Sequence, residues 1–304
     1  MYRGYSTIGP GEQRSHNNQM SLPDEQWLKS TFADLRDFAA LGQGGQKIVY
    51  VATHKTDGKI VLKIIHPRTD VETVRREILA VQQVQSLRVP RILEYGKCSS
   101  NLGDCIWLRE QLIDGPTVRE LLAAGPMEAK SVLRLGLHIL EALDKTEAAK
   151  IVHRDVKPEN IMRDPTGAFW LLDYGIARHL ELSSLTATGL PFGKMTLGYA
   201  PPEQCRNMKS DIDSRADLFA LGVTLHECAV GNNGFFDPPP RDHLELLRRV
   251  ERWVLPPVAL PIADAANFQD LVNSLTQKSR VHRPRTIKAA LAWLQEICAK
   301  EGVS

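Results

Sequence analysis

The order of apolar and polar positions divides the chain into two stretches of different period. From about Phe38 to Ile65 the apolar runs are short and rich in β-branched residues: Phe38 to Leu41, a glycine cluster, Ile48-Val49-Tyr50-Val51, then Ile60-Val61-Leu62 with Ile64-Ile65. Runs of this length bounded by Gly and Asp predict strands. Thr56-Asp57-Gly58-Lys59 separates the second run from the third, and Asp-Gly supplies the positive backbone angles of a tight hairpin. Over residues 70–87 the period changes: Val71, Val74, Ile78, Val81 and Val84 recur at spacings of three and four, which predicts an amphipathic helix. Arg91 to Tyr95 and Cys105 to Ile113 read again as strands, completing a small antiparallel sheet with one main helix.

After about Gly115 the pattern is mostly helical, over Val132 to Ala148, Ala216 to Ala229, His243 to Val250, Phe268 to Thr276 and Ile287 to Ala299. Pro238-Pro239-Pro240 and Pro256-Pro257 break it. At the other end, residues 1 to about 20 lack hydrophobic periodicity and read as a polar tail. Ser21-Leu22-Pro23-Asp24 then opens a short helix, with Trp27, Leu28 and Phe32 available for packing. The expected organisation is an α+β chain of two lobes: a tail and short helix over 1–34, a strand-rich lobe over 35–114 and a larger, mainly helical lobe over 115–304.

Composition narrows the function classes. The 304 residues are 43% hydrophobic and 24% charged, as in ordinary globular proteins, and a net charge of +2 gives no general affinity for nucleic acid or anionic membrane. No apolar run reaches the roughly 18 to 20 residues that cross a bilayer. The five cysteines are scattered, without a Cys-x-x-Cys pair. They read as reduced thiols, and the expected location is cytoplasmic.

Several residues stand out chemically. Leu41-Gly42-Gln43-Gly44-Gly45-Gln46-Lys47-Ile48-Val49 places glycines between two strands, where main-chain N–H groups can approach an anion without a Cβ in the way. Lys63 interrupts the apolar run Ile60 to Ile65 and calls for an anionic partner. Glu77 shares the inward stripe of Val74 and Val81, which makes it the candidate, whereas Glu72 points away. Ile151 to Met162, containing His153-Arg154-Asp155-Val156-Lys157-Pro158-Glu159-Asn160, is followed by Asp173-Tyr174-Gly175. A carboxylate to take a hydroxyl proton, a cation for a transferring phosphate and oxygen ligands for magnesium are the parts of phosphoryl transfer, and Asp155, Lys157, Asn160 and Asp173 supply that set.

On these motifs, in this order, the chain resembles a eukaryotic-type (Hanks-type) serine/threonine protein kinase, with features shared by bacterial members. Thr196 to Glu203 resembles the end of an activation segment, Asp217 to Val223 the family's D-x-W-S-x-G helix, and Arg283 the late arginine that pairs with Glu203. The resemblance implies a bilobal protein-kinase-like fold and transfer of the γ-phosphoryl group of ATP, with Mg, to a Ser or Thr hydroxyl of a protein substrate. It places Gly42, Gln43, Gly44, Gly45, Val49, Val61, Lys63 and Met162 on ATP. Lys63 would pair with Glu77, Asp155 would be the catalytic base, Lys157 would neutralise the γ-phosphate, and Asn160 and Asp173 would hold the metal. His153 would pack below Tyr174. Arg154 beside the base would receive a phosphate on Thr186 or Thr188, with Thr196 on the substrate side. Lys47 departs from the family's loop glycine, and would either restrict how the loop closes or add a positive charge near the phosphates. The segment joining the lobes begins at Glu110 or Gln111. The alternative is a pseudokinase scaffold that binds nucleotide or a partner without transfer.

Overall fold

The computed structural model describes residues 23–44, 47–66, 71–100, 103–174 and 196–303. Helix α1 spans Glu25–Thr31, and its cap is Asp24, which accepts from the Trp27 N–H at 2.6 Å. Ser21, the expected opening of this helix, lies outside the described residues. Strands β1 (Leu35–Gly44), β2 (Lys47–His54) and β3 (Gly58–Ile65) follow, then helix α2 (Val71–Gln82) and strands β4 (Ile92–Ser100) and β5 (Gly103–Gln111). Together the strands make one antiparallel sheet in the order β1-β2-β3-β5-β4.

Strand β3 shows how the pleat sorts the side chains. Ile60, Leu62 and Ile64 face a core shared with Leu28 and Phe32, so α1 covers the outer side of the sheet. Val61, Lys63 and Ile65 point to the opposite side by the period of two. There Ile65 meets Val74 and Ile78 of α2. A bidentate pair from Arg109 on β5 to Asp34, at 2.7 and 2.8 Å, adds a polar fastening between the α1 side and the sheet.

Two strand-and-helix boundaries differ from the sequence reading. α2 ends at Gln82 rather than continuing to residue 87, because the chain tightens into i→i+3 bonds, Gln83 N–H to Ala80 and Val84 N–H to Val81. Val84 still reaches the core from that turn. β4 runs to Ser100, longer than expected, because it is a half-exposed edge strand with no strong apolar alternation to mark it. Cys98 and Cys105, expected as free thiols, are joined by a disulfide. The register sets them directly opposite each other, with Cα atoms 5.1 Å apart, within the span such a bond requires.

The second half contains α3 (Val118–Leu122), α4 (Ala129–Ala148), the two-stranded ladder β6 (Ile161–Arg163) and β7 (Phe169–Leu171), α5 (Pro202–Cys205), α6 (Arg215–Val230), α7 (His243–Arg252), α8 (Ala265–Leu275) and α9 (Ile287–Glu301). α6 is buried along nearly its whole length, which explains its apolar character on every side. It forms the axis against which α4 and α8 pack. Among the described residues, no helix is long and apolar enough to cross a membrane.

Gly115 sits where the chain passes from the sheet to this half. Its φ is +134°, and a Cβ there would lie 2.0 Å from the carbonyl oxygen of Arg163. Gly115→Ala should therefore destabilise the protein by about 2 kcal/mol or more in chemical denaturation. An unchanged midpoint would show that the crossing is not constrained.

Candidate active site

Val49, Val61, Ile113, Met162 and Leu172 form one buried cluster, with Leu41 packed against it. Its members come from both halves, so the cluster joins the sheet to the helical half. The glycine strand lies over it, with Gly42 opposite Val49, Gln43 opposite Ile48 and Gly44 opposite Lys47. Gly45, also assigned to ATP by the resemblance, lies outside the described residues.

Beside this apolar patch runs a row of charges. The Lys63 ammonium, with only 5% of its side chain exposed, contacts Asp173 Oδ1 at 2.8 Å and Glu110 Oε2 at 2.5 Å. Lys47 contacts the other oxygen of Asp173 at 2.8 Å. Burial alone would favour the neutral amine of Lys63, yet the Asp173 and Glu110 carboxylates outweigh it and raise its pKa well above the ordinary lysine value. Burial likewise works against the Asp173 carboxylate, and the Lys47 and Lys63 charges overcome it, holding its pKa well below the usual range.

The expected pair between Lys63 and Glu77 is not formed. The lysine is held by Glu110 and Asp173, while Arg154 acts electrostatically on Glu77. The reason is positional. Glu110 rides on the strand paired to β3, whereas Glu77 is carried by α2, outside the sheet. Glu110 was legible in the sequence only as a possible start of the connecting segment. The signal for it was an acid in a strand neighbouring one that buries a lysine.

The catalytic-loop residues converge below the row. Asp155 Oδ1 accepts from the Thr196 hydroxyl at 2.9 Å, and that hydroxyl accepts from Lys157 Nζ at 2.8 Å. Lys157 is also 3.1 Å from Asp155 Oδ2. Asn160 donates its side-chain N–H to the carbonyl and carboxylate of Asp155, at 2.8 and 2.7 Å. Its amide oxygen is then the atom left to face a cation. That oxygen and the Asp173 carboxylate are hard donors of the kind magnesium takes when phosphates and waters complete its shell. The two ammonium groups already on Asp173 mark a place where positive charge is accommodated, so the residues fit such an ion.

Asp217 on α6 holds this loop from beneath. It accepts the backbone N–H groups of His153 and Arg154 at 2.8 and 2.7 Å, which supports Arg154 in a left-handed conformation (φ 65°). Burial pushes the Asp217 carboxyl up to about 7, against those two N–H groups. The His153 ring packs on Tyr174 with centroids 4.7 Å apart, as the resemblance implied. Arg283 grips Glu203 with two bonds of 2.6 and 3.0 Å, both groups buried. Arg154 is half-buried, and Thr186 and Thr188, its expected phosphate carriers, lie outside the described residues.

One network escaped the sequence reading. Arg119 on α3 bonds Glu159 at 2.7 Å, Glu227 at 2.7 Å and the Tyr199 hydroxyl at 2.6 Å. These residues are far apart in the chain, and no spacing connects them. The network neutralises the acid of the catalytic loop with a cation from the same chain.

A strand-rich lobe joined to a helical one through a row of buried ion pairs defines the class. The chain belongs to the protein kinase domain family, whose pattern matches residues 35–294. Among similar curated proteins, the serine/threonine-protein kinase pkn2 of Myxococcus xanthus is 30% identical over 279 residues, 88% of this chain and 32% of that protein. The serine/threonine-protein kinase PknL of Mycobacterium tuberculosis is 32% identical over 217 residues, 68% of this chain and 52% of that protein. A probable serine/threonine-protein kinase of Clostridium perfringens is 26% identical, with 37% of its length covered. The chain thus spans about a third to a half of the length of these relatives.

Two outcomes follow. Arg283→Met strands the buried Glu203 carboxylate and should cost about 3–5 kcal/mol in urea denaturation; a loss within experimental error would mean the pair is solvated in solution. For Glu77, burial pushes the carboxyl from 4.5 up to about 8. Across that window the folded chain keeps a proton that the unfolded chain releases, so stability falls as pH rises through it. Glu77→Gln should shrink the stability difference between about pH 5 and about pH 8.5, and an unaltered difference would assign the pH effect elsewhere.

Proposed function

We propose that this chain is an ATP- and magnesium-dependent serine/threonine protein kinase. Asp155 accepts the proton of the acceptor hydroxyl as its oxygen attacks the γ-phosphorus, and the bond from that phosphorus to the β–γ bridging oxygen breaks to release ADP. Lys157 balances the charge on the transferring group. Lys63 holds the α and β phosphates, and the backbone of Gly42 to Gly45 covers them with Lys47 beside them. Val49, Val61 and Met162 enclose the adenine. Asn160 and Asp173 would hold the metal, which would supply neutralisation of phosphate charge. The observation that carries this reading is the Thr196 hydroxyl, hydrogen-bonded at once to Asp155 and Lys157. It is the arrangement an incoming hydroxyl requires for proton transfer.

The acceptor is a Ser or Thr of a protein, in keeping with Lys157 in the catalytic loop and with the relatives' names. Autophosphorylation of Thr186 or Thr188 would introduce an anion that Arg154 can bind. No nucleic acid is required, and a cytoplasmic location suits an ATP-consuming enzyme.

Transfer of radiolabel from ATP to a protein acceptor, with and without magnesium, tests the reading. Asp155→Asn and Lys63→Met should each lower the rate by at least about a hundredfold while circular dichroism shows both variants still folded at the assay temperature. A folded wild type as inert as both variants would remove the assignment.

A further inference from the structure

Arg119 stands on the flank of the catalytic loop and takes no part in the transfer described above. Its place is fixed locally. The Thr117 hydroxyl accepts the Glu120 backbone N–H at 3.1 Å while the Glu120 carboxylate accepts the Thr117 N–H at 2.9 Å, which pins the first turn of α3. A bridge between Thr117 and Met162 ties that turn to the strand leaving the catalytic loop. From there the guanidinium spans two acids, with Nε on Glu159 and Nη1 on Glu227, each at 2.7 Å.

The network borders the place of the acceptor. Glu159 follows Lys157 by two residues, Tyr199 follows Thr196 by three, and Lys157 and Thr196 meet at Asp155. A protein segment that presents a hydroxyl to Asp155 brings its neighbouring side chains to this flank, since an extended chain advances by about 3.3 Å per residue. The flank is open to such a segment: the side chains of Arg119 and Glu159 are 39% and 36% exposed. The two acids differ in what else holds them. Glu227 is buried and also accepts the Tyr199 hydroxyl at 2.5 Å, whereas the second oxygen of Glu159 has no hydrogen-bond partner among the described residues. Arg119 is thus the cation that answers Glu159.

We propose that Arg119 is a specificity-determining residue: it fills the place where a basic side chain of the protein substrate would meet Glu159, so the enzyme takes segments with an uncharged residue there. The inference rests on the reading of the chain as a protein kinase with Asp155 as its base. Without Arg119, the Glu159 carboxylate is open to a substrate guanidinium, which pairs with a carboxylate through two parallel hydrogen bonds. An acidic substrate residue is disfavoured by the two carboxylates set against one guanidinium.

The test uses the full chain and a positional library of Ser and Thr acceptor peptides, each flanking position filled in turn by arginine or by citrulline, its uncharged isostere. Wild type should keep the arginine-to-citrulline ratio of kcat/KM within about twofold at every position. Arg119→Gln should gain a ratio of about tenfold at one position, as a charge-assisted hydrogen bond to an unmasked carboxylate provides. Adding Glu159→Gln should abolish that gain, and Arg119→Lys should stay within about twofold of the wild-type profile. A wild type that already prefers arginine by about tenfold, an Arg119→Gln profile identical to wild type, or a gain that survives Glu159→Gln would each overturn the proposal. A merely structural role lowers the rate for all peptides alike and so gives the identical profile. If Arg119→Gln fails to fold because buried Glu227 has lost its cation, the same comparison in a Glu227→Gln background leaves Glu159 as the acid under test. Should wild type phosphorylate no peptide, fluorescence anisotropy of labelled arginine and citrulline peptides on both proteins replaces the kinetics. Tighter binding of the arginine peptide by Arg119→Gln alone, by about tenfold, keeps the specificity role while the kinase reading falls. Equal binding by both proteins removes the two together.

Discussion

A lysine buried in an apolar strand constrains everything around it. Removing an ammonium from water costs several kcal/mol unless anions replace the solvent, and in this protein the replacement comes from two parts of the chain. Glu110 arrives on the neighbouring strand and Asp173 from the helical half, with Lys47 closing the row on the far oxygen of Asp173. The alternating charges make the row locally neutral and join the sheet to the helical half directly over the apolar cluster of Val49, Val61, Ile113, Met162 and Leu172. Asp173 reaches this position in a left-handed backbone conformation (φ 57°), uncommon for a residue with a side chain. The surrounding contacts hold that strain in place.

The same economy governs the loop that carries Asp155. Its backbone is suspended from Asp217, which projects from the most deeply buried helix of the protein. The chemistry thus sits on a loop whose support does not move with the surface. Arg283 with Glu203 does the same for the short helix after Thr196. Thr196 itself closes the circuit between Asp155 and Lys157. Arg119 contacts both Glu159 and Glu227, so each of these acids near the catalytic loop has a cation from the same chain against it.

Much of this was legible in the linear pattern. Strand and helix periods located β2, β3, α2 and the long helices, since each buries one face and repeats its apolar residues accordingly. Asp155, Lys157 and Asn160 lie within six residues, so one loop brings them together whatever surrounds it. The edge strand β4 was harder to bound because half-exposed positions carry little periodic signal. The Cys98–Cys105 bond depended on strand register, which spacing alone does not determine.

The linear order by itself determined the family, the two-lobed architecture and the identity of the groups available for chemistry, because short motifs and hydrophobic periods are local properties of a chain. Which carboxylate faces Lys63 was decided only in three dimensions. Glu77 lies on the apolar stripe of its helix and Glu110 between Arg109 and Gln111, and neither setting by itself marks the lysine's partner. Choosing between them required the pairing of β3 with β5 and the placement of α2, outcomes of packing between segments that no local pattern encodes.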